Sequence, residues 1–127
     1  MIAVDVQQGT IGITMTGIVS DADWDAAVRA VDEKLGGLLS VHPTLPGSRR
    51  LHLLMDWAGL NGWEKGTRST CTWFCMGNQD MVDRVAVVAD EQWRQEVLRL
   101  TDIYKHARLR LYKPAERQMA IDWLMQP

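Results

Sequence analysis

The order of patterned segments predicts an α/β fold: a mixed sheet of about five strands with flanking helices, running β-β-α-β-α-β-α-β-α. Three observations predict this class. Two near-continuous apolar runs, Leu51–Trp57 and Arg84–Ala89, read as parallel strands covered on both faces. Stretches with apolar residues every three or four positions separate the later strands. The first two alternating stretches are joined by so short a turn that only an antiparallel hairpin fits. The last three strands each follow a helical crossover, so right-handed parallel connections are expected. A chain of 127 residues closes one core, and residues 1–127 read as a single domain.

Ile2–Gln7 alternates apolar and polar residues, the period of a half-buried strand, and Thr10–Ile18 follows after a Gln8-Gly9 turn. Ser20 is a good N-cap, and Asp23 three residues on completes a variant of the capping box. The helix it starts carries Trp24, Ala27, Val28, Val31 and Leu35 on one face and ends at Gly36-Gly37. Leu38–Arg50, with Pro43, Pro46 and Gly47, is a long connection. Leu51–Trp57 is the central strand, followed by a Gly-punctuated loop to Trp63. Gly66–Met81 reads as a helix apolar around much of its circumference, with Trp73, Phe74, Gly77 and Met81 on one side. After Arg84–Ala89, Asp90 caps a helix whose inward residues are Trp93, Val97, Leu100 and Tyr104. Ala107–Tyr112 is the last strand. Pro114 suits a first helical position, and the final helix buries Met119, Ala120, Trp123 and Leu124.

Apolar residues make up 46% and charged residues 24%, ordinary for a globular domain. The net charge of −2 lacks the basic excess expected of a nucleic-acid binder. No apolar run approaches the roughly 20 residues that span a bilayer. The first residues lack the basic-then-apolar pattern of a secretory signal, so a cytoplasmic protein is expected. Cys71 and Cys75, four apart on one helix, hold their Cβ atoms about 5–6 Å from each other, beyond the roughly 3.8 Å of a disulfide. They read as buried small hydrophobes, since two thiolates alone do not fill a metal site. His42, His52 and His106 have no partner at ligand or catalytic spacing. No metal, cofactor or catalytic constellation is expected, and no phosphate-cradling glycine motif or nucleophile elbow is present. Six tryptophans stand against one Phe and two Tyr, a surplus of bulky apolar surface that points to a homodimer.

Four pieces, GIVSDADWDAAV, LLMDWAGLNGW, RVAVVADEQW and ERQMAIDWL, occur in order over nearly the whole chain. Together they resemble the SpoIIAA-like family of the STAS superfamily, the STAS/SEC14 domain-containing proteins. The resemblance implies a STAS/SpoIIAA-like fold, a small sheet flanked by helices, often dimeric. It also implies an apolar crevice suited to nonpolar ligands and no known reaction. Anti-sigma-factor antagonists of that superfamily carry a phosphorylatable Ser just after the Asp that ends the central strand. Here Asp56 is followed by Trp57, Ala58 and Gly59, so the acceptor is missing.

In an open α/β sheet, ligands sit in the crevice at the carboxyl ends of the strands. That places the candidate ligand-binding residues at Asp56, Trp57, Leu60, Trp63, Trp73 and Phe74. Asp56 competes with a plain role, ending the strand and accepting from loop N–H groups. Trp63 and Trp73 serve equally as pocket lining or as core. Arg108 and Arg110 point to one face of the last strand, where cations guard an exposed edge or hold an anion. The function expected is a non-enzymatic carrier or sensor of a small apolar ligand. The alternative is a regulatory domain docking a protein partner through the Gly66–Met81 helix. An enzyme has least support, with Asp56, Glu64 and Lys65 the groups near the crevice.

Overall fold

The computed structural model describes residues 1–7, 9–34, 51–65, 67, 75 and 81–126. Strands β1 (Ile2–Gln7), β2 (Thr10–Val19), β3 (Leu51–Trp63), β4 (Val82–Val88) and β5 (Arg108–Tyr112) form one sheet in sequence order. β1 is antiparallel to β2, and the remaining pairs are parallel. The described helices are α1 (Asp21–Lys34), α2 (Arg94–Ile103) and α3 (Arg117–Leu124), the last two each preceded by a 3-10 turn. The five-stranded mixed sheet with an antiparallel edge hairpin is the architecture the pattern predicts.

Alternation along β3 decides which layer each residue joins. Leu53, Met55 and Trp57 face the larger core with Ile11, Ile13, Met15, Val85 and Val87, under Trp24 and Val31 of α1 and Val97 and Leu100 of α2. Leu54 joins Ala86, Val88, Ala120, Trp123 and Leu124 beneath α3 on the other face. β3 is buried on both faces because both layers exist, which is why its sequence is nearly continuous in apolar residues. α1 begins with the reciprocal capping box: the Ser20 N–H donates to Asp23 Oδ2 at 2.9 Å and the Asp23 N–H to Ser20 Oγ at 3.1 Å. The Ser20 N–H is the main cause holding the Asp23 carboxyl below its ordinary pKa.

Four expectations change. The loop expected after Trp57 is strand: β3 continues to Trp63, paired with β2 through two register shifts that each give β3 an extra residue. Gly59 permits this, since a Cβ there would lie 3.0 Å from Thr16 Cγ2. Gly17, at φ +67°, takes the left-handed conformation beside the second shift. Val28 is 42% exposed rather than inward, because Trp24, Ala27 and Val31 already form the covered stripe of α1. Met119 is 57% exposed for the same reason on α3, where Ala120, Trp123 and Leu124 face the sheet. Strand limits also shift by one or two residues: β2 reaches Val19, β4 begins at Val82 and β5 at Arg108. Leu35, the Gly36-Gly37 cap and the Leu38–Arg50 connection lie outside the described residues. So does most of the Gly66–Met81 helix, of which Thr67 and Cys75 are described as helical and buried, while Met81, also buried, lies in the turn leading into β4 rather than in a helix. Among the described residues no helix is long and apolar enough to cross a membrane.

Candidate functional site

Midway along β3, where its pairing with β4 ends at Asp56, the chain sends consecutive side chains to opposite faces. Asp56 points toward α3 and is only 6% exposed. Its Oδ1 accepts the Ala58 N–H at 3.0 Å, the expected bond to a following N–H, but Asp56 does not end the strand, which continues to Trp63. Its Oδ2 accepts from Arg117 Nε at 2.7 Å, a short charge-assisted bond across 61 residues of chain. Arg117 opens α3, and nothing in the sequence marks it as part of the site: only the return of α3 across the sheet brings it to Asp56.

Trp57 turns the other way, into the larger core, with 1% of its surface exposed. Trp63 packs edge-to-face on it at 5.8 Å between ring centroids, and Trp93 packs edge-to-face on Trp63 at 6.3 Å. Leu60 is buried in the same cluster, and Trp63 is half-buried against it. The indole Nε1 atoms of Trp57, Trp63 and Trp93 are all buried with no hydrogen-bond partner among the described residues, as is the Thr67 hydroxyl. The sequence predicts Trp93 as core and not as part of the site. A usable signal exists, since Asp56-Trp57 and Asp90 with Trp93 each follow an apolar run, at the point where the pairing of two adjacent parallel strands ends.

The six candidate residues thus divide. Trp57, Leu60 and Trp63 come together with Trp93 on one face, Asp56 stands on the opposite face with Arg117, and Trp73 and Phe74 lie outside the described residues. Glu64 and Lys65 lie beyond the strand end and are exposed, and His106 is exposed in the turn before β5. His52 is four residues upstream of Asp56, toward the other end of β3. Arg110 stacks over the Trp123 ring at 4.8 Å and Arg84 at 5.7 Å. Arg84 Nη1 also donates to the carbonyls of Trp123 and Gln126 at the end of α3. Arg110 is therefore fastened to the helix that covers the sheet. Among the described residues no group of three or more His, Cys, Asp or Glu side chains is placed to hold a metal ion.

The SpoIIAA-like family model matches residues 10–125. The chain belongs to the SpoIIAA-like family. A solved structure of an uncharacterized protein of the DUF3478 family with a SpoIIAA-like fold, from Shewanella loihica PV-4, is similar with a TM-score of 0.71. It shares 14% identity, over 98% of this chain and 92% of that one, a likeness of fold. No curated protein matches the sequence. In this SpoIIAA-like chain the position after Asp56 holds Trp57, sealed in the core, which offers no hydroxyl for phosphate. The fold supports a binding or regulatory domain.

Proposed function

We propose that this SpoIIAA-like domain is a non-enzymatic carrier or sensor, acting as a homodimer, for a small and mainly apolar ligand held at the carboxyl end of β3. The observation that carries this reading is the ladder of Trp57, Trp63 and Trp93, whose three indole N–H groups are buried without an acceptor among the described residues. An unpaired buried donor costs about 1–3 kcal/mol, and buried polar groups are otherwise almost always satisfied. A ligand with an apolar body and one acceptor oxygen would pack on the rings and satisfy a donor. Trp63, half-buried at the outer end of β3, is its point of entry.

Native mass spectrometry of the purified chain, incubated with medium-chain fatty acids as probes, reads both ligand and oligomeric state. The expected result is a dimer carrying one adduct per chain, with the adduct lost in Trp63→Ala. Trp57→Ala, in the sealed core, should lower stability by about 3–5 kcal/mol, and Trp63→Ala by clearly less. Equal large losses in both variants, with no adduct on the wild type, would make the ladder ordinary core. The competing docking reading rests on the Gly66–Met81 helix, and no described residue favours it.

A further inference from the structure

On the face of the sheet opposite the tryptophans, α3 covers β3, β4 and β5, and among the described residues it leaves β1 and β2 bare. The step between helix and bare strands is a recess of about 400 Å³, within the roughly 300–1,000 Å³ of small-molecule sites. Its wall is Arg117, Ile121 and Met125, successive positions four apart on and just past α3. Its floor is polar at the edges and open in the middle. Thr14 lies beside Asp56 in register, and two residues away Gly12 pairs with Asp5 on β1 and Leu54 on β3. Gly12 has no side chain to fill the space. The backbone would admit one: a Cβ there would meet nothing closer than the Asp5 carbonyl oxygen at 3.6 Å.

The charged groups at the recess are partly paired, and two of them keep bonding capacity in reserve. Asp56 fixes the Arg117 guanidinium through Nε and is itself held by the Ala58 N–H. Among the described residues no other acceptor bonds Arg117, so its Nη donors remain available to a planar acceptor. Asp5 likewise has no ion pair among the described residues and stands exposed on the floor. Two residues along and two strands across separate Asp5 from Asp56, which holds Arg117, by about 12 Å at the Cα level, a span the side chains and the bound molecule share. Arg117, Asp56 and Asp5 together carry a net −1. A simple anion would meet Arg117 against that balance, and a simple cation would leave Arg117 idle. A molecule with both charges satisfies both groups.

We propose that this recess binds a small zwitterionic amino acid with an apolar side chain. Its carboxylate meets the Arg117 Nη donors, its ammonium group meets Asp5, and its side chain lies over Gly12 against Leu54 and Ile121. The site is independent of the tryptophan ladder, being on the other face of the sheet.

The test is titration of the full chain with L-leucine, followed by calorimetry and by amide and indole chemical shifts. L-leucine methyl ester, which lacks the carboxylate, and 4-methylpentanoate, which lacks the ammonium group, serve as comparison probes. Saturable binding of leucine is expected, at least tenfold tighter than either comparison, with shifts centred on Gly12, Thr14 and Ile121. Gly12→Val fills the floor and should abolish binding while the melting temperature holds or rises. Asp5→Asn, an exposed change with no packing to lose, should weaken leucine at least fivefold and leave 4-methylpentanoate unweakened. No saturation by leucine, binding that survives Gly12→Val, equal or tighter binding of 4-methylpentanoate by the wild type, or shifts confined to the tryptophan indoles would each overturn the proposal.

Discussion

Cutting the bond between Asp56 and Arg117 tests how α3 is fastened to the sheet. Arg117→Met keeps the aliphatic stem and removes the guanidinium. The magnitude follows from the two ends of the bond. The Asp56 side chain is 9% exposed and the Arg117 side chain 49%. A fully exposed ion pair contributes about 0.2–1 kcal/mol, and orphaning one member of a fully buried pair costs about 3–5 kcal/mol. Here the orphan is the buried carboxylate, but it retains the Ala58 N–H, so the loss should resemble that of a hydrogen bond to a charged group, about 1.5–3 kcal/mol. Urea unfolding followed by tryptophan fluorescence should show a lower midpoint at unchanged slope. Thermal unfolding should shift down by roughly 3–5 °C per kcal/mol at this chain length. Asp56→Ala leaves an arginine that water can still reach, and the double variant closes the cycle. A coupling energy of about 1–2 kcal/mol is expected. A coupling below about 0.5 kcal/mol, the level at which independent sites add, would refute the idea that this bond anchors α3.

Two further outcomes follow from backbone and cap. Gly17→Ala should cost about 1–2 kcal/mol, the strain of a left-handed conformation, because a Cβ at Gly17 meets nothing within 4 Å and packing adds no penalty. Gly17→Asn should recover part of it, and equal stability of Ala and Gly in urea unfolding would contradict the strain. At α1, the folded-state pKa of Asp23 lies below its unfolded value near 3.8. Its contribution is therefore fully present above that value and lost as pH falls through the folded pKa. Ser20→Ala should cost about 0.5–2 kcal/mol at neutral pH, while Asp23→Asn, which removes the titrating carboxylate, should flatten the stability-against-pH curve on its acid side; an unchanged acid limb in Asp23→Asn would remove Asp23 as its cause.

Much of the fold is legible in the sequence because period is local. The alternation of Ile2, Val4 and Val6, the apolar run through Met55 and the stripe of Val97, Leu100 and Tyr104 each report a face to be covered, and each is covered. Ser20 with Asp23 announces the start of α1 by chemistry confined to four residues. The continuation of β3 is not legible. Ala58, Gly59, Asn61 and Gly62 carry loop composition, and β2 supplies the pairing from across the sheet. Val28 and Met119 fall outside their expected places because a helical stripe has a width that only its neighbours set.

The candidate site divides along the same line. That something occurs at the end of the central strand is readable from Asp56 beside two tryptophans, since strand ends in such sheets are where chains turn and ligands collect. That Asp56 and Trp57 serve opposite faces follows from strand alternation, which the sequence alone already contains. That Asp56 meets Arg117, that Trp93 extends the ladder of Trp57 and Trp63, and that Gly12 opens a recess beneath Ile121 required the tertiary structure. The physical reason is range. Periodicity and capping are written by residues a few positions apart, whereas a charge pair 61 residues apart exists only after the sheet has ordered its strands and α3 has crossed them.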